Sequence, residues 1–196
     1  AITSATGAQN STLNVGDVVR VTVTMSEAAT VSTTGGTPQI TLVVGSTNRT
    51  ATYSSGSGTT ALVFTYTIQA GETDANGISV TANTLALNGG TINDAAGNPA
   101  TLTHSAVADN ASYLVDTTAP TVSSVAATGT GITSGAGTLK AGAVVTLTVN
   151  TSEAVTVTTT GGTPTLSLSS GGTATYSSGS GTTALVFTYT VGATDN

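Results

Sequence analysis

The sequence predicts an all-β protein made of tandem modules. Three observations carry that reading. Short segments alternate apolar and polar residues with period two, no stretch combines helical periodicity with caps, and a long sequence recurs inside the chain. At 196 residues the chain suits one to two domains at roughly 100–200 residues each. Hydrophobic residues make up 38%, enough Val, Leu and Ile to bury a core, and the abundant Thr is β-branched and favours strands. Charged residues make up only 6%, nine acidic against three basic, for a net charge of −6. Coiled coils need charged helix formers, disulfide scaffolds need Cys, which is absent, and nucleic-acid binders need a basic footprint, so all three classes are excluded. No apolar run approaches the ~20 residues of a membrane span, so direct membrane insertion is not expected.

The repeat sets the domain organisation. Ala51–Thr67, ATYSSGSGTTALVFTYT, recurs unchanged at Ala174–Thr190, an offset of 123. TTGGTP at Thr33–Pro38 recurs at Thr159–Pro164, and Ser26-Glu27-Ala28 recurs at Ser152-Glu153-Ala154, both at an offset of 126. The three-residue difference falls between Pro38 and Ala51 and marks a surface turn near Gly45–Asn48. Module one spans 1–115, and module two spans 116–196, opening with the linker Asp116–Pro120. Module two has no counterpart of Gly77–Val115, so it is expected to be incomplete and to leave an apolar face open, as in an excerpt of a longer repetitive protein.

Element by element, Val19, Val21, Val23 and Met25 alternate with Arg20, Thr22 and Thr24, giving a strand with one buried face over Val18–Met25. Val145, Leu147 and Val149 repeat it. In Ala61–Ile68 the inward set is Leu62, Phe64, Tyr66 and Ile68. Further strands are expected near Ile40–Val44, Thr50–Tyr53, Ile78–Leu87, Thr101–Val107 and Ser112–Val115, with Val122–Ala126 opening module two. About seven short strands per module, spaced by Gly, Ser and Asn turns, read as an Ig-like β-sandwich.

The motifs VTVTMSEA, GETDANGISV, LNGGTINDAAGN and VDTTAPTVSSV, taken together and in this order, resemble the tandem bacterial Ig-like repeats of very large secreted adhesins of the RTX-type and biofilm-associated kind. The resemblance covers essentially the whole chain. It implies extracellular modules stacked end to end as a stalk on the bacterial cell surface, commonly rigidified by Ca²⁺. The partners it implies are neighbouring repeats of the same chain.

Catalytic chemistry finds little to work with. His104 is the only imidazole, and a nucleophile, base and orienter are needed together. The acids suit Ca²⁺ better. Glu72, Asp74 and Asn76, followed by Gly77, place side-chain oxygens at positions 1, 3 and 5 of a loop with Gly at 6, half of a Ca²⁺ loop; Asn83 stands where the bidentate acid belongs. An Asx-rich β-turn without metal is the other reading. If strands alternate up and down, Glu72, Asp74, Asn76, Asp116 and Glu153 converge on one junction, while Glu27 and Asp94 face the opposite pole. Asp109-Asn110 reads as a plain exposed turn.

The leading expectation is a non-enzymatic stalk with Ca²⁺ at its joints. The runner-up is an extracellular layer or filament of like chains, in which strands from a neighbour complete the open module. An accessory module of a polysaccharide-active enzyme is weaker, since Trp is absent and no aromatic platform exists.

Overall fold

The computed structural model describes residues 1–195 and contains strands but no helix among them. The chain divides into two compact units, Ala1–Thr118 and Ala119–Asn196, with the division inside the segment read as a linker.

In the first unit the strands are β1 (Ile2–Thr6), β2 (Thr12–Leu13), β3 (Val18–Ser32), β4 (Gln39–Val44), β5 (Thr47–Ser55), β6 (Thr59–Thr67), β7 (Thr73–Asp74), β8 (Ser79–Val80), β9 (Thr91–Asn93) and β10 (Leu114–Asp116). The main sheet runs β1-β3-β6-β5-β4-β8, and β9 pairs with the far half of β3. A small second sheet runs β2-β10-β7, with β2 and β10 parallel. Strand alternation decides which side chains are buried: Val19, Val21, Leu62, Phe64, Ile40 and Leu42 are each at most 2% exposed. Tyr53 meets the edge of the Phe64 ring with centroids 5.8 Å apart. Ile68, Ile78, Val80, Leu85, Ile92 and Val115, all C-terminal to β6, join the same core cluster.

The sheet strands form where the alternation places them, although β3 runs seven residues beyond Met25 to Ser32. The segment after β6 departs from expectation. Only Ser79–Val80 of Ile78–Leu87 is a strand, and Thr101–Val107 forms none. Val80 pairs with Leu42 in the ladder and exchanges two backbone hydrogen bonds, of 3.0 and 2.9 Å, with Val107. Three residues later Asn83 takes a left-handed φ of 57°, which ends extended pairing. Side chains then stand in for ladder bonds. His104 N–H donates to Asn83 Oδ1 at 3.0 Å, and the amides of Thr84 and Leu85 donate to His104 Nε2 at 3.0 and 3.3 Å.

The second unit consists of β11 (Val122–Thr128), β12 (Val144–Val155), β13 (Thr165–Ser167), β14 (Thr173–Ser178) and β15 (Thr182–Thr190), paired in the order β11-β12-β15-β14-β13. That order matches β1-β3-β6-β5-β4 of the first unit. Its buried apolar residues are Val149, Ala174 and Phe187 among the described residues, and Val122, Val125 and Val144 are 63%, 56% and 52% exposed. Leu185 and Leu147 are half-buried, whereas their counterparts Leu62 and Val21 are 0% and 1% exposed. Identical sequence therefore sits in two environments, one covered by the segment after β6 and one open.

This contrast fixes an expectation about local stability. β6 and β15 share one sequence, so their intrinsic amide exchange rates are equal and any difference reports the surroundings. Amides of β6 should exchange more slowly than the matching amides of β15 when followed by NMR. Equal rates would mean that the open sheet of the second unit is covered in solution.

Candidate functional site

The acids flagged by the sequence gather where β6 ends. After Thr67 the chain buries Ile68, turns through Gly71 at a φ of 84°, and enters β7. Asp116 stands opposite Thr73 and Val115 opposite Asp74 in the antiparallel β7–β10 ladder, so Glu72, Asp74, Asn76 and Asp116 share one end of the first unit. Thr117 secures this end. Its hydroxyl donates to the Glu72 carbonyl at 2.8 Å and accepts the Gly71 amide at 3.0 Å.

The two central carboxylates point inward. Glu72, whose side chain is 2% exposed, accepts from Arg49 Nε and the Tyr66 hydroxyl through Oε1 and from the Gln69 amide, at 2.8 Å, through Oε2. Burial, then the hydrogen bond to Glu72, pushes the Tyr66 phenol from its ordinary 10.0 to about 12. Asp74 is 3% exposed. Its Oδ2 accepts the Gly45 amide at 2.7 Å, and its Oδ1 accepts the amides of Gly77 at 2.7 Å and Asn76 at 3.2 Å. This is an Asx turn whose carboxylate also pins the β4–β5 hairpin. Gly77 has a φ of 100°, and a Cβ there would lie 2.0 Å from the Asn110 carbonyl oxygen, so only glycine fits.

The other flagged residues are placed differently. The Asn76 amide donates to Asp109, tying the ETDANG turn to a loop read as a plain exposed turn. Asp116 Oδ1 accepts the Thr118 amide at 2.9 Å. Glu153, in the second unit, has a buried Oε1 with no hydrogen-bond partner among the described residues. Asp94 closes its own loop, accepting the Ala96 and Asn98 amides at 2.9 and 2.8 Å and the Asn98 side chain at 2.7 Å; the Asn98 bonds hold its carboxyl below the usual range. Glu27 and Asp94 both line a groove of about 490 Å³ beside β3.

The oxygens of Glu72 and Asp74 are occupied by donors of the protein itself, and Arg49 already supplies positive charge at Glu72. Each carboxylate accepts three bonds, close to its capacity of about four, and the Arg49 charge beside Glu72 disfavours a second cation there. Among the described residues no three His, Cys, Asp or Glu side chains are grouped to hold a metal.

Sequence reasoning overlooked that the Tyr-carboxylate lock is itself repeated. Tyr189 donates to Asp195, which also accepts the Gly192 amide at 2.7 Å, as Tyr66 and Gln69 do with Glu72. The hydrogen bond to Asp195 raises the Tyr189 phenol and lowers the Asp195 carboxyl. Gly172 stands where Arg49 does, and a Cβ there would lie 2.5 Å from the Tyr189 ring. The signal was present as a tyrosine followed six residues later by an acid in both copies. The chain matches no protein-family model, no curated protein and no solved structure.

Two consequences are measurable. Glu72→Ala leaves the Gln69 amide and the Tyr66 hydroxyl without their acceptor. Because the Arg49 side chain is 36% exposed, water recovers part of the loss, and the first unit should lose about 1–3 kcal/mol in denaturant unfolding. The folded chain keeps the Tyr66 proton to about 12 while the unfolded chain releases it near 10.0, so the folded state binds more protons between those values. Stability of the first unit should therefore fall as pH rises through that window, and Tyr66→Phe should flatten the fall. An unchanged slope in Tyr66→Phe would refute the assignment.

Proposed function

We propose that the chain provides spacer repeats of an exported bacterial surface adhesin: Ig-like modules in a row, outside the cell, acting mechanically and not as an enzyme. The observation that carries this reading is that the sequence repeat is also a structural repeat. Each unit presents the same strand order, with the 17-residue segment Ala51–Thr67 or Ala174–Thr190 in its centre. A short linker ending in Pro120, which fixes its own φ and extends Ala119, suits modules strung in sequence. His104 spends its ring on backbone groups, Nε2 on two amides and Nδ1 on the Ser105 carbonyl at 2.9 Å, which supports a structural use of the one imidazole.

Ca²⁺ at the joints belongs to this proposal in a narrowed form. Glu72 and Asp74 serve the interior of the first unit, so the flagged oxygens left for a cation are those of Asn76 and Asp116 in the first unit and of Glu153 in the second, whose Oε1 lacks a partner among the described residues. A filament of like chains completed by strand exchange is the second reading, favoured by the exposed apolar residues of the second unit.

Calcium titration separates these ideas. An ion bound only to the folded chain stabilises it by RT ln(1 + [L]/Kd), about 2.7 kcal/mol at a hundredfold excess over Kd. Melting should shift upward in Ca²⁺ and return with chelator, and Asp116→Asn or Glu153→Gln should reduce the shift while Asp74 remains intact. A midpoint indifferent to Ca²⁺ removes the ion from the account. Light scattering that shows concentration-dependent polymers favours the filament over the spacer.

A further inference from the structure

The first unit joins β2 to β10 in parallel, so a strand near the entry of the chain lies beside the strand by which it leaves. β1 runs toward the end of the unit where β6 finishes, since Thr6 stands opposite Val18 and Val18 opposite Thr67. β10 leaves the unit at that same end, where Asp116 stands opposite Thr73 and the Thr117 hydroxyl bonds Gly71 and Glu72. In the parallel pair Thr12 stands opposite Leu114 and Leu13 opposite Val115. The Leu114 amide donates to the Ser11 carbonyl at 2.9 Å, and the even spacing of a parallel ladder then directs the Leu13 amide to the Leu114 carbonyl.

Both strands are anchored. Leu13 and Val115 are buried, so each plants a side chain in the core. The other edge of β10 is held by β7, and just before β10 the Tyr113 carbonyl accepts the Ile78 amide at 3.0 Å. Beyond β2 the Gly16 amide donates to the Ile68 carbonyl at 3.0 Å and the Ile68 amide to the Asp17 carbonyl at 2.9 Å, which ties the chain to the end of β6 before β3 begins. Tension drawn through the chain therefore pulls β2 back toward Ala1 and β10 forward past Asp116, in opposite directions along parallel axes. Bonds between strands displaced in this way stretch together and share the force. Strands drawn apart from one end lose their bonds one after another.

We propose that the β2–β10 pair, Thr12–Leu13 against Leu114–Asp116, is the force-bearing joint that keeps the first unit folded when the chain is under tension. The residues between the two strands, from Asn14 to Tyr113, carry no force until the pair parts, because the force crosses from β2 to β10 directly. β1 lies ahead of the joint in sequence. Its release frees a short length of chain and hands the force to β2. The Thr117 hydroxyl, bonded to Gly71 and Glu72, secures β10 on the side where the chain leaves. The inference deepens the spacer reading and rests on it for the source of the tension.

The chain has no cysteine, so pairs of introduced cysteines give unambiguous handles for single-molecule pulling on the full chain. One handle is Thr118→Cys, and the other is Ala1→Cys, Ala8→Cys or Val15→Cys. All of these positions are exposed, so the same folded unit is pulled each time and only the direction of the force differs. Ala1→Cys and Ala8→Cys load the pair in shear, the second without passing through β1. Val15→Cys lies just beyond β2, at the end where β10 leaves, and peels the two strands apart. Forced unfolding is governed by the unfolding barrier, so at one pulling speed the unit should part at about twofold higher force or more from Ala1 and from Ala8 than from Val15. An equal force from Val15 overturns the joint. A force from Ala8 that drops to the Val15 level assigns the resistance to β1 and overturns it as well. Neither result bears on calcium binding or polymer formation, so failure of the joint is distinguishable from failure of the spacer reading.

Discussion

The fold of the first unit depends on how the chain leaves β6. A sheet whose inner side carries Val19, Val21, Leu62, Phe64, Ile40 and Leu42 has to be covered. Covering begins at the turn where Glu72 and Asp74 fold inward. Two buried carboxylates are costly to desolvate, and each is compensated locally: Glu72 by Arg49, Tyr66 and the Gln69 amide, Asp74 by three backbone amides. The partners come from β5, β6 and the β4–β5 hairpin, so one turn ties three strands to the segment that closes over them. Thr117 adds the last strand to the same knot.

The covering segment shows why the core of this fold is easier to read than its lid. Period-two alternation marks β3, β4 and β6 because half of each strand faces the interior and half faces water. In Ile78–Leu87 and Thr101–Val107 the same alternation exists, yet only two residues of the first stretch are strand. Asn83 breaks the first stretch with a left-handed backbone, and the polar groups that a ladder would satisfy are met by His104, Thr84 and the Asn83 side chain. Apolar residues such as Leu85 and Ile92 still reach the core. Pattern reports which residues are buried, and bond satisfaction, which depends on distant partners, decides whether they form strand.

The acids illustrate the same limit in chemical terms. A spacing of Glu72, Asp74, Asn76 and Gly77 serves either a cation loop or an Asx turn, since both need oxygens on one side of a tight bend. The choice is made by groups far along the chain. Arg49 lies 23 residues from Glu72 and Gly45 lies 29 from Asp74, so no local window contains the deciding partner. What the sequence did display was the tyrosine six residues before the acid, in both copies. With Gly172 in place of Arg49, the second copy keeps the phenol-carboxylate bond and dispenses with the ion pair.

Comparison of the two units also separates the fixed part of the repeat from the adjustable part. The pairing of β3 with β6 and of β12 with β15 is identical in register: Val18 faces Thr67 and Val144 faces Thr190. The first strand is different. Ile2 and Val122 each precede a bulge whose extra residue, Thr3 or Ser123, donates its hydroxyl to a carbonyl of the neighbouring strand, so the two are local equivalents. Yet Ile2 pairs with Val21, and Val122 pairs with Thr151, the counterpart of Met25, four residues farther along. A shift by an even number preserves which side chains face inward, whereas a shift by one would exchange the faces. The longer loop between β11 and β12 supplies the slack for such a slide. The first strand therefore pairs four residues apart in the two units while the pairing of β3 with β6 and of β12 with β15 is unchanged.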